Sequence, residues 1–281
     1  GNAVILKGGK EAQNSNKVIV KLLVEAISKV PGVPQSAVQM IETRADVVDM
    51  LKEEKYIHLI IPRGSNAFVK YIQENTRIPV LGHSEGVCHG YIDQFADLDM
   101  AIRLCLDAKL QYPAVCNAME TLLVHKNFAE KVLPDLVEKF REKQVELVGC
   151  VKTCKVTPEV SPACESDWDL EYNDLKLSIK IVDGFSEAVK FINKHGSGHT
   201  DMIVTENRER AEQFLNEVSS ANVMWNASTR FADGFKYGLG AEIGISTNRT
   251  HARGPVGLEG MVIYKYKLYG NGQIVADYSG D

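Results

Sequence analysis

The sequence predicts an α/β fold in which parallel sheets are covered by flanking helices. Two observations predict it. Short apolar runs alternate with longer stretches whose apolar residues recur at helical spacing, and Gly, Pro or polar turns separate them. The apolar runs are near-continuous, as strands covered on both faces require.

The elements follow in order. Val4 to Leu6 reads as a buried strand ended by Gly8-Gly9. Ile19, Leu22, Leu23, Ala26, Ile27 and Val30 mark a helix stopped by Pro31-Gly32. Ala37 to Ile41 is a strand, and Thr43 with Asp46 opens a helix running to about Glu54. Tyr56 to Ile61 is a strand; Pro62-Arg63-Gly64-Ser65 turns into a helix ending near Glu74, and Ile78 to Leu81 is the next strand. Asp97 to Leu110 is a helix, Glu120 to His125 a strand and Phe128 to Glu142 a helix. Lys176 to Val182 alternates and pairs in a sheet; Ser186 to Lys194 is helical and Met202 to Thr205 extended. Glu206 to Val218 is a helix and Val223 to Trp225 a strand. Met261 to Ala276 alternates around Gly270-Asn271-Gly272, a hairpin signal.

Composition excludes several classes. The chain has 281 residues, 44% apolar and 25% charged, with 32 Lys+Arg against 37 Asp+Glu. That is enough chain for a large core and about two domains. It carries no basic block that would point to nucleic acid, and no apolar stretch of about 18 residues that would span a membrane. Six cysteines spread over this length fit a reducing compartment better than a disulfide scaffold, so the sequons at Asn226 and Asn248 read as incidental. The chain opens at Gly1 inside an apolar run, which reads as a fragment.

Several residues are candidates for chemistry. Cys116 sits in Tyr112-Pro-Ala-Val-Cys-Asn-Ala-Met-Glu120, between a Pro-broken helix and a buried strand. A turn there can hold a side chain at a cleft wall, but a thiol needs activation, and an inert buried Cys fits the pattern too. Gly8-Gly9, beside Lys7 and Lys10, and Gly64-Ser65 each lie between a strand and a helix, where free N–H groups favour phosphate; an ordinary turn fits equally. Gly238-Leu-Gly240 lacks the third Gly of a dinucleotide fingerprint. Cys150, Cys154 and Cys164 lack a fourth ligand for zinc, and His83, Cys88 and His89 read as turn residues, so no metal site is expected. Glu171 is neutral by pattern, either a cleft or a surface acid. Asn226-Ala-Ser228-Thr229-Arg230 follows a strand end, a common place for ligands.

At these residues the sequence resembles the γ-glutamyl phosphate reductases of proline biosynthesis. The same domain forms the C-terminal part of bifunctional Δ1-pyrroline-5-carboxylate synthases. The resemblance rests on Gly1-Asn-Ala-Val-Ile-Leu-Lys-Gly-Gly-Lys-Glu-Ala12, Ile61-Pro-Arg-Gly-Ser65, Gly82-His-Ser-Glu-Gly-Val-Cys-His89 and Tyr112 to Thr121. Trp225-Asn-Ala-Ser-Thr-Arg-Phe231, Gly238 to Ser246 and His251 to Glu259 continue it in family order across the chain. Gly-His-Ser-Glu-Gly is closer to the animal bifunctional form.

The resemblance implies an aldehyde-dehydrogenase-like architecture. Residues 1–93 would be a partial NADP-binding, Rossmann-like domain, 94–224 the catalytic domain, and 225–281 a pocket-closing loop and hairpin flap that joins subunits. It implies Cys116 as nucleophile and Lys7, Gly8, Gly9, Gly64, Ser65 and Glu171 as contacts to NADPH. Asn117, Ser228, Thr229 and Arg230 fall where the substrate pocket is expected. The implied reaction is NADPH-dependent reduction of L-glutamyl 5-phosphate to L-glutamate 5-semialdehyde through a Cys thioester, with release of phosphate. A homo-oligomer and a fused or associated glutamate 5-kinase are implied partners. The compartment would be mitochondrial for the bifunctional animal form and cytoplasmic otherwise. Family members carry a further N-terminal segment, about a third of the reductase, with an oxyanion-hole Asn; without it the fragment is expected to fold poorly and turn over slowly or not at all. An NAD-dependent aldehyde dehydrogenase is one alternative, although Leu81-Gly-His-Ser-Glu85 stands where that chemistry has its water-activating Glu. A silent oligomerisation module is the other.

Overall fold

The computed structural model describes residues 1–83 and 85–278. It opens with a small parallel pair, β1 (Val4–Lys7) and β2 (Val38–Ile41), bridged by helix α1 (Gln13–Ile27). Helix α2 (Arg44–Met50) starts at the predicted capping box: Asp46 N–H donates to Thr43 Oγ1 at 3.1 Å, and Thr43 N–H donates to Asp46 Oδ2 at 2.8 Å. Helix α3 (Asn66–Glu74) is capped by Ser65. Val47, Leu51, Ile60, Ile72, Ile78 and Val80 close a small core under these helices. The apolar face of α1 (Val18, Ile19, Leu22 and Leu23) is exposed.

The strands expected at 56–61 and 78–81 shrink to one parallel bridge, Ile60 with Val80. Two backbone bonds hold it, Ile60 N–H to the Pro79 carbonyl and Leu81 N–H to the Ile60 carbonyl. Pro62 and Pro79 lack the N–H groups that would extend the ladder.

The centre of the molecule is a seven-stranded, wholly parallel sheet. Its strands are β3 (Cys88–Ile92), β4 (Met119–His125), β5 (Glu146–Gly149), β6 (Ser161–Pro162), β7 (Lys176–Val182), β8 (Thr200–Val204) and β9 (Asn222–Trp225). They run in the order β6-β5-β7-β4-β3-β8-β9. Every residue of β3, β4 and β8 is buried, which is why these strands carry no clean polar alternation.

Side chains of β4 show how the faces divide. Leu122 and Val124 join the larger core with α4 (Leu98–Leu110) and α5 (Lys126–Glu142), while Leu123 points to the smaller one with α7 (Phe185–His195) and α8 (Arg208–Glu217). All three are fully buried, each contributing about 1.5–3 kcal/mol.

Strand β3 escapes sequence reading because Cys88-His89-Gly90 has no apolar run. The structure supplies the reasons for those residues. A Cβ on Gly90 would lie 2.6 Å from Met119 Sδ, so only glycine lets the layers close. Buried His89 is held by Asp201, whose Oδ1 accepts from its backbone N–H at 2.7 Å and lies 3.0 Å from Nδ1. Strand β5 and the short helix α6 (Val151–Val156) were also not expected.

Past β9 the chain makes a short antiparallel pair, β10 (Gly244–Ser246) with β11 (Gly254–Val256). The hairpin flap expected at 261–276 does not form: no strand pairing occurs there among the described residues. Ile263, Tyr266 and Leu268 are at least 90% exposed. A two-stranded ribbon with nothing to pack on is marginal at best, so alternation alone does not produce one. No helix among the described residues is long and apolar enough to cross a membrane.

Candidate active site

Parallel strands bring several turns to one place, the amino-terminal edge of the large sheet. Cys116 and Asn117 lie just before β4, Glu171 and Asn173 before β7, His199 before β8, and Gly82 and His83 lead toward β3. Cys116, Glu171, Asn173, Gly82 and His83 line a cavity of about 370 Å³ with Arg63, Gly64, Asn66, Val115 and Ile243 to Ile245. The cavity thus sits between the large sheet, the start of α3 and the β10 segment.

The Cys116 turn is fixed from behind. Ala118 N–H donates to the Val115 carbonyl at 2.9 Å, and the Cys88 thiol donates to the Cys116 carbonyl at 3.2 Å. Gly86 presses on the same turn: a Cβ there would lie 2.2 Å from the Cys116 carbonyl oxygen. Asn117 Nδ2 donates to the Ala232 carbonyl at 2.9 Å, tying the turn to the segment that returns toward β10. Cys116 is thereby presented to the cavity while Cys88 is fully buried.

Electrostatics oppose the resting thiolate. Burial pushes the Cys116 thiol up to about 11, and the charges of Glu171 and Glu242 add to that, with Arg63 acting against them. Two imidazoles stand beside it: ligand-type atoms of His83, Cys116 and His199 lie within 4.8 Å of one another. His83 Nδ1 is 2.8 Å from the Ile245 carbonyl, so Nδ1 donates and Nε2 keeps the lone pair. His199 is fully buried, 2.8 Å from Thr200 Oγ1 through Nδ1, and burial followed by the His83 charge pushes its pKa down to about 3.

A buried ion pair holds the opposite wall. Lys109 Nζ donates to Glu120 Oε2 at 2.6 Å with both side chains fully buried. Glu120 Oε1 accepts from Asn173 N–H at 3.4 Å, and Tyr172 Oη donates to Asp167 Oδ1 at 2.9 Å. These contacts brace the loop that carries Glu171. Burial raises Glu120 to about 7 despite Lys109, and burial lowers Lys109.

The expected site residues divide. Cys116, Gly64 and Glu171 share the cavity wall, and Ser65 caps α3 beside it, its Oγ accepting from Phe68 N–H at 3.4 Å. Asn117 is next to the cavity but turned to Ala232. Lys7 ends β1 and Gly8 and Gly9 follow it; none of the three lines the cavity. Ser228 and Thr229 are buried and off the cavity, and Arg230 Nε donates to Gln111 Oε1 at 2.8 Å. This segment does leave the carboxyl end of β9, yet the cavity is at the amino edge. Arg63, Asn66, Asn173, His199 and Glu242 were not expected there. Arg63 and Glu242 lie in segments that carry the family resemblance; His199 and Asn173 carry no local signal, because topology alone brings them in.

Comparison with known proteins identifies what the whole chain is similar to. The chain is 60% identical over 279 residues to Gamma-glutamyl phosphate reductase of Acetivibrio thermocellus, matching 99% of this chain and 64% of that protein. The reductase of the same name from Pelotomaculum thermopropionicum is 57% identical over 280 residues, with 100% and 64% covered. The chain therefore spans about 64% of the length of the curated relatives it matches. Among solved structures, Gamma-glutamyl phosphate reductase from Thermotoga maritima superposes with a TM-score of 0.95 at 44% identity, covering 97% of this chain and 66% of that one. An acetylating aldehyde dehydrogenase from Geobacillus thermoglucosidasius, 18% identical with a TM-score of 0.64, covering 96% of this chain and 70% of that one, shares the fold. The profile described as the aldehyde dehydrogenase family matches residues 1–166, over half the chain and through the Cys116 turn, and the chain belongs to that family.

Proposed function

We propose that this chain carries the catalytic cysteine of a γ-glutamyl phosphate reductase, which reduces L-glutamyl 5-phosphate to L-glutamate 5-semialdehyde and releases phosphate. The observation that carries the reading is Cys116 open to a cavity whose other wall is the start of α3, in a chain 60% identical to a protein of that name. The Cys116 sulfur, once deprotonated, attacks the acyl carbon. The acyl–oxygen bond to phosphate breaks, phosphate leaves with the electron pair, and a thioester remains on Cys116. Cys116 rests as a thiol at neutral pH because of its raised pKa, so a base must take its proton. His83, with a ring nitrogen within 4.8 Å of the sulfur, is our choice, since His199 is too weak a base.

Arg63 and Gly64 fit a cofactor pyrophosphate. Gly64 has φ +152°, and Ser65 caps a nine-residue helix whose first residue, Asn66, lines the same cavity. Glu171 on the facing loop suits a ribose hydroxyl. Bound NADPH supplies the hydride that takes the thioester to the aldehyde level. Lys7, Gly8 and Gly9 stand at the carboxyl end of β1, where a parallel pair offers backbone to the adenosine end. Residues before β3 then form the cofactor side, and β3 to β9 the catalytic side.

The test is a half-reaction that needs no hydride. The chain is incubated with L-glutamyl 5-phosphate generated in situ, quenched in acid and digested. A γ-glutamyl adduct on the Cys116 peptide, absent from Cys116→Ala, is the expected result. An adduct of equal yield in Cys116→Ala, or none in the parent, refutes the assignment.

A further inference from the structure

We infer that His83, Cys116 and His199 form a zinc-type divalent cation site that switches the nucleophile off. That the metal silences catalysis rests on the reading of Cys116 given above; that it binds does not.

Geometry carries the inference. Three soft or borderline donors, two imidazoles and one thiol, lie within 4.8 Å of one another. In a tetrahedral zinc site with Zn–N of about 2.0–2.1 Å and Zn–S of about 2.3 Å, ligand atoms stand about 3.4–3.6 Å apart. The trio therefore has to close by little more than about 1 Å, within the reach of the half-buried His83 and Cys116 side chains. Both rings already have their Nδ1 atoms engaged, His83 at the Ile245 carbonyl and His199 at Thr200 Oγ1. A carbonyl can only accept, so His83 keeps its proton on Nδ1 and offers Nε2; the Thr200 hydroxyl can accept from His199 Nδ1, which lets His199 bind a metal through Nε2. The two rings meet edge to face, with centroids 4.8 Å apart.

A second, independent observation points to a ligand. His199 Nε2 is buried and has no hydrogen-bond partner among the described residues. A buried imidazole nitrogen without a partner is costly, and a cation bound there satisfies it. The carboxylates of Glu171 and Glu242, which oppose a bare thiolate, favour a cation at the same sulfur. Two nitrogens and one sulfur suit zinc, and three protein ligands leave a fourth position for water at the cavity. Binding exchanges the thiol proton for the metal: the S–H bond breaks, the sulfur–metal bond forms, and one proton goes to solvent.

The experiment titrates the full chain with Co²⁺ as a spectroscopic reporter and Zn²⁺ as competitor. Expected are a thiolate-to-cobalt charge-transfer band with tetrahedral ligand-field bands, saturating at one equivalent, and release of one proton per metal. Zn²⁺ should abolish the bands and protect Cys116 from iodoacetamide, and a chelator should restore its reactivity. Cys116→Ser should lose the charge-transfer band. His83→Gln and His199→Gln should each weaken binding by more than about 100-fold, beyond the cost of losing a ligand's supporting hydrogen bond. His83 is only half-buried, so its variant tests the site even where His199→Gln fails to fold. The proposal is overturned by bands that persist in Cys116→Ser, which would place the metal on other thiols, or by unchanged affinity in His83→Gln. A bound metal in a chain that forms no γ-glutamyl adduct would leave this site standing and refute only the catalytic reading.

Discussion

Neutralising Glu171 should make Cys116 more reactive. With its thiol at about 11 rather than an ordinary 9.0, Cys116 carries about a hundredfold less thiolate at any pH below both values, since each pKa unit is a factor of ten. Burial is the largest cause, and Glu171 ranks ahead of Glu242 among the charges. Glu171→Gln should therefore raise the alkylation rate at fixed pH, Glu242→Gln should raise it less, and the double variant most. All three should stay well short of about a hundredfold, because burial remains. Arg63→Gln should act the other way, since its cation favours the thiolate. The assay is iodoacetamide labelling from about pH 7 to 11, read on the Cys116 peptide by mass spectrometry, with exposed Cys164 as internal reference. A parent thiol that titrates at or below 9, or Glu171→Gln with an unchanged rate, would refute the electrostatic account of the site.

Two further substitutions probe the scaffold. Glu120→Gln strands Lys109 as a buried, unmatched cation and should cost about 3–5 kcal/mol, lowering Tm by roughly 5–8 °C for a chain of this length, by calorimetry. Lys109→Met with Glu120→Leu should recover most of that loss; a double variant as unstable as the single would show that the cost is not electrostatic. Gly86→Ala should displace the Cys116 backbone, so alkylation and adduct formation change while far-ultraviolet circular dichroism keeps its shape; unaltered Cys116 chemistry would mean that the neighbouring loop yields instead.

Much of the large sheet and its helices was legible in the residues. Helices α4, α5, α7 and α8 and strands β4, β7 and β8 carry strong apolar periodicity, and each forms close to its expected span. The Thr43 capping box and the Ser65 turn announced two helix starts because a cap is a local arrangement of a few residues. Cys116 gained its importance from the family resemblance, since its local pattern fits an inert thiol equally well. What could not be read was partnership. Nothing near His199 says that it ends up against His83 across more than a hundred residues, and Gly90 reads as a strand breaker until Met119 and Met202 are seen packed against it. The carboxyl-end rule drew attention to 226–230, whereas the cavity collects turns from the other edge of the sheet.

That edge has a consequence for the order in which the chain folds. His89 and Asp201, which lock β3 to β8, stand 112 positions apart, and the parallel pairing between them cannot be made from local contacts. Pairings of such long separation are slow to form. Before the chain folds the Cys116 sulfur is in water and behaves as an ordinary cysteine, about a hundredfold more ionised than in the finished molecule. Cys116 is thus most vulnerable to oxidants and alkylating agents while the chain is being made, and maturation itself makes its sulfur less reactive.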